Sequence, residues 1–139
     1  MPIAQSLCSS FKQQILLGEH DLDTDVIKLA LYTSAADLGA GTPVYSTSNE
    51  VVGAGYTAGG NTLTGATVSL SGTTAYVDFA DTTWTTATIT ARGALIYNSS
   101  KSNKAIAALD FGSDKTTTAG DFVVQFPTND ASSAIVRIA

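Results

Sequence analysis

The chain has 139 residues, a formal net charge of −5 and only 14% charged residues, a size that suits one domain with one hydrophobic core. Seven Lys and Arg scattered along an acidic chain make no basic stripe, so nucleic acid is excluded as a partner. No apolar run approaches the roughly 20 residues of a membrane helix, and too few Glu, Lys and Leu are present for a coiled coil.

The first element predicted is a helix over 3–17. Ile3, Leu7, Phe11 and Ile15 recur every four positions, with Cys8 and Leu16 on the same face, as an amphipathic helix requires. Gly18 fits its C-cap, where a left-handed backbone is usual. Residues 26–32, Val-Ile-Lys-Leu-Ala-Leu-Tyr, read as a strand buried on both faces. Residues 33–60 are turn-rich, and a connection this long in a small domain is usually functional. Short strands then follow at 61–70, 74–80, 86–90, 92–98, 104–111, 121–126 and 132–138. The breaks fall at Ser71-Gly72, Asp81-Thr82, 98–103, 112–120 and 127–130. Closely spaced strands without intervening helices predict a mainly β fold: an antiparallel β-sandwich, jelly-roll-like, with one N-terminal α-helix. One domain, 1–139, is expected, with an N-terminal helix or arm at 1–18. The β-sandwich then occupies 24–139 and carries a glycine-rich loop at 39–60.

Few side chains suggest chemistry. Asp21, Asp23 and Asp25 alternate like the start of a calcium loop. Val26 and Tyr32, however, stand where that loop needs Gly and Glu. A solvated acidic turn is the expectation, with a weak cation site between subunits as the alternative. Gly53-Ala54-Gly55-Tyr56-Thr57-Ala58 matches a loose dinucleotide fingerprint. A turn and a strand follow it instead of a helix, so the glycines are assigned to loop packing. His20 is the one histidine and lies at the end of the predicted helix, where a cation is favourable. Cys8 is the one cysteine and lies on the apolar helix face. A disulfide within the chain is therefore impossible, and a buried small hydrophobe is expected. Arg92 interrupts an apolar strand and is expected to pair with Asp78, Asp81 or Asp110. Asn98-Ser99-Ser100 is a glycosylation sequon, but MPIAQSLCSS has no charged n-region or long apolar run, so no secretory leader is expected. No catalytic residue, metal ligand or cofactor site emerges, and a non-enzymatic protein is expected.

Several segments together resemble small virion proteins of tailed bacteriophages. They are Phe11 to Gly18 with His20-Asp21, and Ile27 to Ser34. Asn49 to Gly53 and Gly55 to Gly60 come next, then Trp84-Thr85 and Ala91 to Asn98. Their order and spacing run through most of the chain. The resemblance implies a capsid cement, or decoration, protein that binds the major capsid protein on the virion surface, as a homo-oligomer and without a membrane. A tail, neck or baseplate component is the alternative within the same virion. A carbohydrate-binding module, with Tyr45, Tyr56 and Trp84 as the candidate platform residues, is a third reading. The segments 1–18 and 39–60 are the expected contact elements. The first is expected to be separable, so that removing residues 1–10 leaves the β-domain folded.

Overall fold

The computed structural model describes residues 3–127 and 134–138. The fold is mainly β, with antiparallel sheets and one helix. In chain order the elements are β1 (Ser6–Leu7), α1 (Ser9–Leu16), β2 (Ile27–Tyr32), β3 (Asn61–Thr62), β4 (Thr67–Ser71), β5 (Thr74–Asp78), β6 (Thr82–Asn98), a short 3-10 turn (Ser99–Lys101), β7 (Lys104–Val124) and β8 (Val136–Ile138). One sheet runs β1-β7-β6-β2-β3 and the other β4-β5-β8.

The long β6–β7 hairpin organises the molecule. Residues Ala94 to Asn98 and Ala105 to Leu109 are all buried, because β2 flanks β6 and β1 flanks β7 while other elements cover both faces. Unbroken apolar sequence is what such a doubly covered centre needs. Toward Thr82 the same strand alternates: Thr82, Trp84, Ala87, Ile89 and Ala91 are buried while Thr83, Thr85, Thr88 and Thr90 face solvent. The step of three between Trp84 and Ala87 is a register shift, with Thr86 at φ 48°. Such a bulge returns the apolar set to the core side. Tyr56, Trp84, Phe122 and Phe111 form a chain of rings with centroids 5.8–6.2 Å apart, the spacing of tilted and edge-to-face packing.

Several expectations need correction. The helix starts at Ser9, not at residue 3. The amides of Ala4 and Cys8 bond to the carbonyls of Leu38 and Ile106, and Ser6 and Leu7 pair with Ala108 and Ala107. Backbone pairing across to β7 therefore claims the segment that four-residue periodicity assigns to a helix. Leu16, placed on the apolar face, is 88% exposed. The predicted strands 86–90 and 92–98 are one strand, and 112–120 is not a break. Gly112 at φ 84° and Ala119 at φ 49° bend β7 without ending its pairing with β6. The predicted strand 61–70 is two short pieces, β3 and β4. Residues 132–133 of the predicted last strand lie outside the described residues. Gly18 closes the helix as expected, at φ 71° with its amide on the Ile15 carbonyl.

Candidate functional site

The long connection 33–60 is fastened by one carboxylate. Glu50 is 7% exposed and bridges back to Tyr32 at the end of β2. Its Oε1 accepts the Tyr45 hydroxyl at 2.6 Å. Its Oε2 accepts the Tyr56 hydroxyl at 2.5 Å and the Gly59 amide at 2.8 Å. Tyr56 oxygen in turn accepts the Leu31 amide of β2 at 3.0 Å, and the Tyr97 hydroxyl of β6 donates to the Gly59 carbonyl at 2.7 Å. Tyr45 stacks on Tyr97 with centroids 4.5 Å apart. Burial, with the nearby Glu50 charge, pushes the Tyr97 phenol up to about 12 and raises Tyr45 and Tyr56 as well. The phenols therefore stay protonated, and those of Tyr45 and Tyr56 donate to the carboxylate, the arrangement that makes a buried charge tolerable. Both carboxylate oxygens are occupied by loop donors, so the chemistry available to Glu50 is structural.

The glycines of this connection serve close approach. A Cβ at Gly60 would lie 1.8 Å from the Leu29 carbonyl oxygen, and one at Gly53 would lie 2.5 Å from that of Thr88. The fingerprint-like stretch 53–58 is thus a loop pressed on β2 and β6, as assigned from the sequence.

A second polar network joins the helix end to the β6–β7 turn. His20 is 7% exposed. One ring nitrogen lies 2.8 Å from Gln14 Oε1 and the other 3.0 Å from Asn98 Nδ2. Because Asn98 Nδ2 also donates to Asp25 Oδ2 at 2.8 Å, and its Oδ1 accepts the Ser100 amide, the amide orientation is fixed. Nδ1 of His20 then accepts and Nε2–H donates to Gln14. Burial above all, then the Lys104 charge, lowers the His20 pKa, in keeping with this neutral form. Desolvation opposes ionisation of Asp25, but its bonds from Asn98, the Asp21 amide and Lys101 outweigh it and hold the carboxyl at about 2.

The aspartate triplet divides between two jobs. Asp21 Oδ1 accepts the amides of Asp23 and Thr24, an Asx-type turn. Asp25 meets Lys101 at 3.0 Å. Among the described residues, no group of three or more His, Cys, Asp or Glu is placed to hold a metal ion. Cys8 is fully buried, and desolvation raises its thiol to about 11, so it stays protonated and sealed. Arg92 pairs with Asp110 at 3.4 Å, one of the three partners anticipated. Asn98 of the sequon is fully buried and its side-chain amide is engaged, so no glycan fits there.

The platform residues do not form a platform. Trp84 is 4% exposed and packs against Tyr56 and Phe122, while the hydroxyls of Tyr45 and Tyr56 are spent on Glu50. The sequence misses Glu50 as the organising residue. Its signal is a charged residue directly before Val51-Val52-Gly53, in a stretch whose tyrosines lie five positions before and six after it.

The expected contact elements are also more integrated than anticipated. Ile3, Cys8 and Phe11 of the N-terminal segment belong to the core. Beside polar residues such as Lys12, Gln13, Ser48 and Asn49, these elements present apolar ones to solvent: Leu16 and Leu17 at the helix end, and Val44 and Val52 on the loop. No family model matches the chain, and neither does any curated protein or solved structure.

Proposed function

We propose that this chain is a structural virion protein that binds the outside of a phage capsid lattice and stabilises it, as a non-enzymatic cement or decoration protein. The observation that carries this reading is the ordered series of segments from Phe11 to Asn98 described above. The physical character of the surface supports it. Loop 33–60 is fastened by Glu50, and the exposed positions of β6 are threonines at 83, 85, 86, 88 and 90, which contribute neither charge repulsion nor long mobile side chains. Leu16, Leu17 and Val52, at 88%, 68% and 95% exposure, supply modest apolar contacts. A lattice multiplies such weak contacts by symmetry. The partner is the major capsid protein, and the chain acts on the virion surface.

Quantitative mass spectrometry of purified virions tests the reading. Cement predicts a copy number in step with that of the major capsid protein, and occupancy that falls when Leu16, Leu17 and Val52 are replaced by Asp. A small ring number moves the chain to the neck or tail. Absence from purified particles overturns the proposal.

A further inference from the structure

The strand edges of this molecule are not equally protected. A free edge offers unpaired N–H and C=O groups to another strand, and proteins usually guard it with charge, bulges or brevity. The outer edge of β7 beyond its pairing with β1 carries Asp114, Lys115 and Asp121 and is distorted at Gly112 and Ala119. The edge strands β1 and β3 are two residues each, and β8 is three residues with Arg137 in the middle. The edge of β6 from Thr82 to Thr88 is crossed by the loop, through Asn61 and Ala54. Edge strand β4, Thr67-Val68-Ser69-Leu70-Ser71, has none of these guards. It has no charge and no proline, spans five residues and pairs among the described residues with β5 alone.

Its geometry specifies what fits. The pair Ser71↔Thr74 closes a two-residue loop with Gly72 at φ 57°, the tight hairpin whose closing pair is hydrogen-bonded. Alternation then makes Ser69↔Tyr76 and Thr67↔Asp78 hydrogen-bonded pairs, while Val68 and Leu70 turn their backbone N–H and C=O outward. Their side chains share one face and are 55% and 72% exposed. In the register, Leu70 sits beside Ala75, which sits beside Ile138, itself 50% exposed.

We infer that β4 is a self-pairing edge through which two copies of this chain join antiparallel, about a two-fold axis at Ser69. In that register Val68 faces Leu70 of the second copy, and Leu70 faces its Val68. Both are hydrogen-bonded pairs, so four backbone hydrogen bonds form with no carboxylate on either strand. The apolar face of the three-stranded sheet becomes one six-stranded face. A second copy fits because the strand is its own complement: it is uncharged, of equal length on both sides of Ser69, and apolar on one face. The inference rests on the sheet edge alone and stands apart from the virion assignment.

The test uses the full chain in light scattering coupled to size exclusion. Wild type is expected at twice the 14.3 kDa chain mass. Leu70→Pro removes an outward N–H and spares the β4–β5 bonds, and Val68→Lys places a charge in each new pair. Either variant is expected at the monomer mass with an unchanged far-UV circular dichroism spectrum. Ser69→Cys adds a positive test. In a non-hydrogen-bonded pair on the axis the two Cα atoms would be about 4.5 Å apart, within disulfide reach, so oxidation is expected to give a covalent dimer while Thr67→Cys gives none. A wild-type chain that stays monomeric at the highest concentration reached overturns the inference. So does a dimer that survives both Leu70→Pro and Val68→Lys, or a Ser69→Cys chain that never cross-links.

Discussion

Replacing Glu50 by Ala tests whether one carboxylate holds the long loop to the sheet. The substitution removes three bonds at once: from Tyr45, Tyr56 and the buried Gly59 amide. Hydrogen bonds to a charged group contribute about 1.5–3 kcal/mol each, which would give at most about 9 kcal/mol by addition. The true loss is smaller, because the two phenols can turn toward water and the desolvation cost of the carboxylate is recovered. The Gly59 amide cannot turn, and the Tyr56 oxygen remains tied to the Leu31 amide. About 3–5 kcal/mol is the reasoned loss, a large part of the roughly 5–15 kcal/mol that stabilises a domain. At about 3 °C per kcal/mol for this size, the melting temperature falls by roughly 10–15 °C. Limited proteolysis should at the same time open cleavage sites within 44–60. Glu50→Gln discriminates the chemistry. Its oxygen can keep Tyr56 and Gly59, and its amide can donate to Tyr45, so the loss should be about 1–2 kcal/mol. A Glu50→Ala protein that melts within about 2 °C of wild type, with loop 44–60 still protease-resistant, refutes the clamp.

The polar network at His20 gives a pH dependence of defined sign. The folded pKa is lowered from 6.5, so this stability is fully present above about pH 6.5 and is lost as the pH falls through the lower folded value. Thermal melts between pH 7 and 5 should show that limb, and His20→Asn should flatten it; the contribution of Asp25 is full above its ordinary 3.8 and is lost as the pH falls from there to about 2. Gly60→Ala should cost roughly 3–5 kcal/mol in urea titrations, because its Cβ meets a backbone oxygen at φ 77°. Gly72→Ala, with open space around it, should cost about 1 kcal/mol. Deleting residues 1–10 removes Ile3 and Cys8 from the core and should yield a chain that binds a hydrophobic dye and lacks a cooperative melt. A soluble truncated protein with the wild-type melting temperature would restore the N-terminal segment as a detachable arm.

What the sequence disclosed depended on how local each signal was. The apolar run at 27–32 reports its own burial, so β2 was legible, whereas β6 was read only in part, as two strands at 86–90 and 92–98. The glycine at the helix C-cap was legible for the same reason. Residues 3–8 failed because their spacing satisfies a helix while their hydrogen-bond partners, Leu38, Ile106 and the 107–108 pair, lie far away in sequence. Non-local pairing overrides a local period, and nothing within an eight-residue window signals that it will. Residues 112–120 failed in the opposite direction. Gly and polar residues mark a turn, but a bulge and a turn share that chemistry, and only the continuing register with β6 separates them.

The Glu50 cluster shows why a structural site can be harder to read than a catalytic one. Catalytic motifs keep donors and bases at fixed spacing, whereas here Tyr45, Tyr56, Gly59 and Tyr97 converge from two segments. A lone Glu in a turn-rich stretch is ordinarily a solvated charge. It becomes an anchor because Gly59 and Gly60 adopt φ of 100° and 77° and let the backbone come within reach of β2. Once Glu50, Asp25 and Lys101 are spent on fastening loops, the exposed apolar residues Leu16, Leu17, Val52 and Leu70 sit on a frame that cannot fold over to hide them. Exposed side chains on a rigid frame enter an interface with little ordering cost, which is why partners of this chain should be sought at those four positions and not among its ionisable groups.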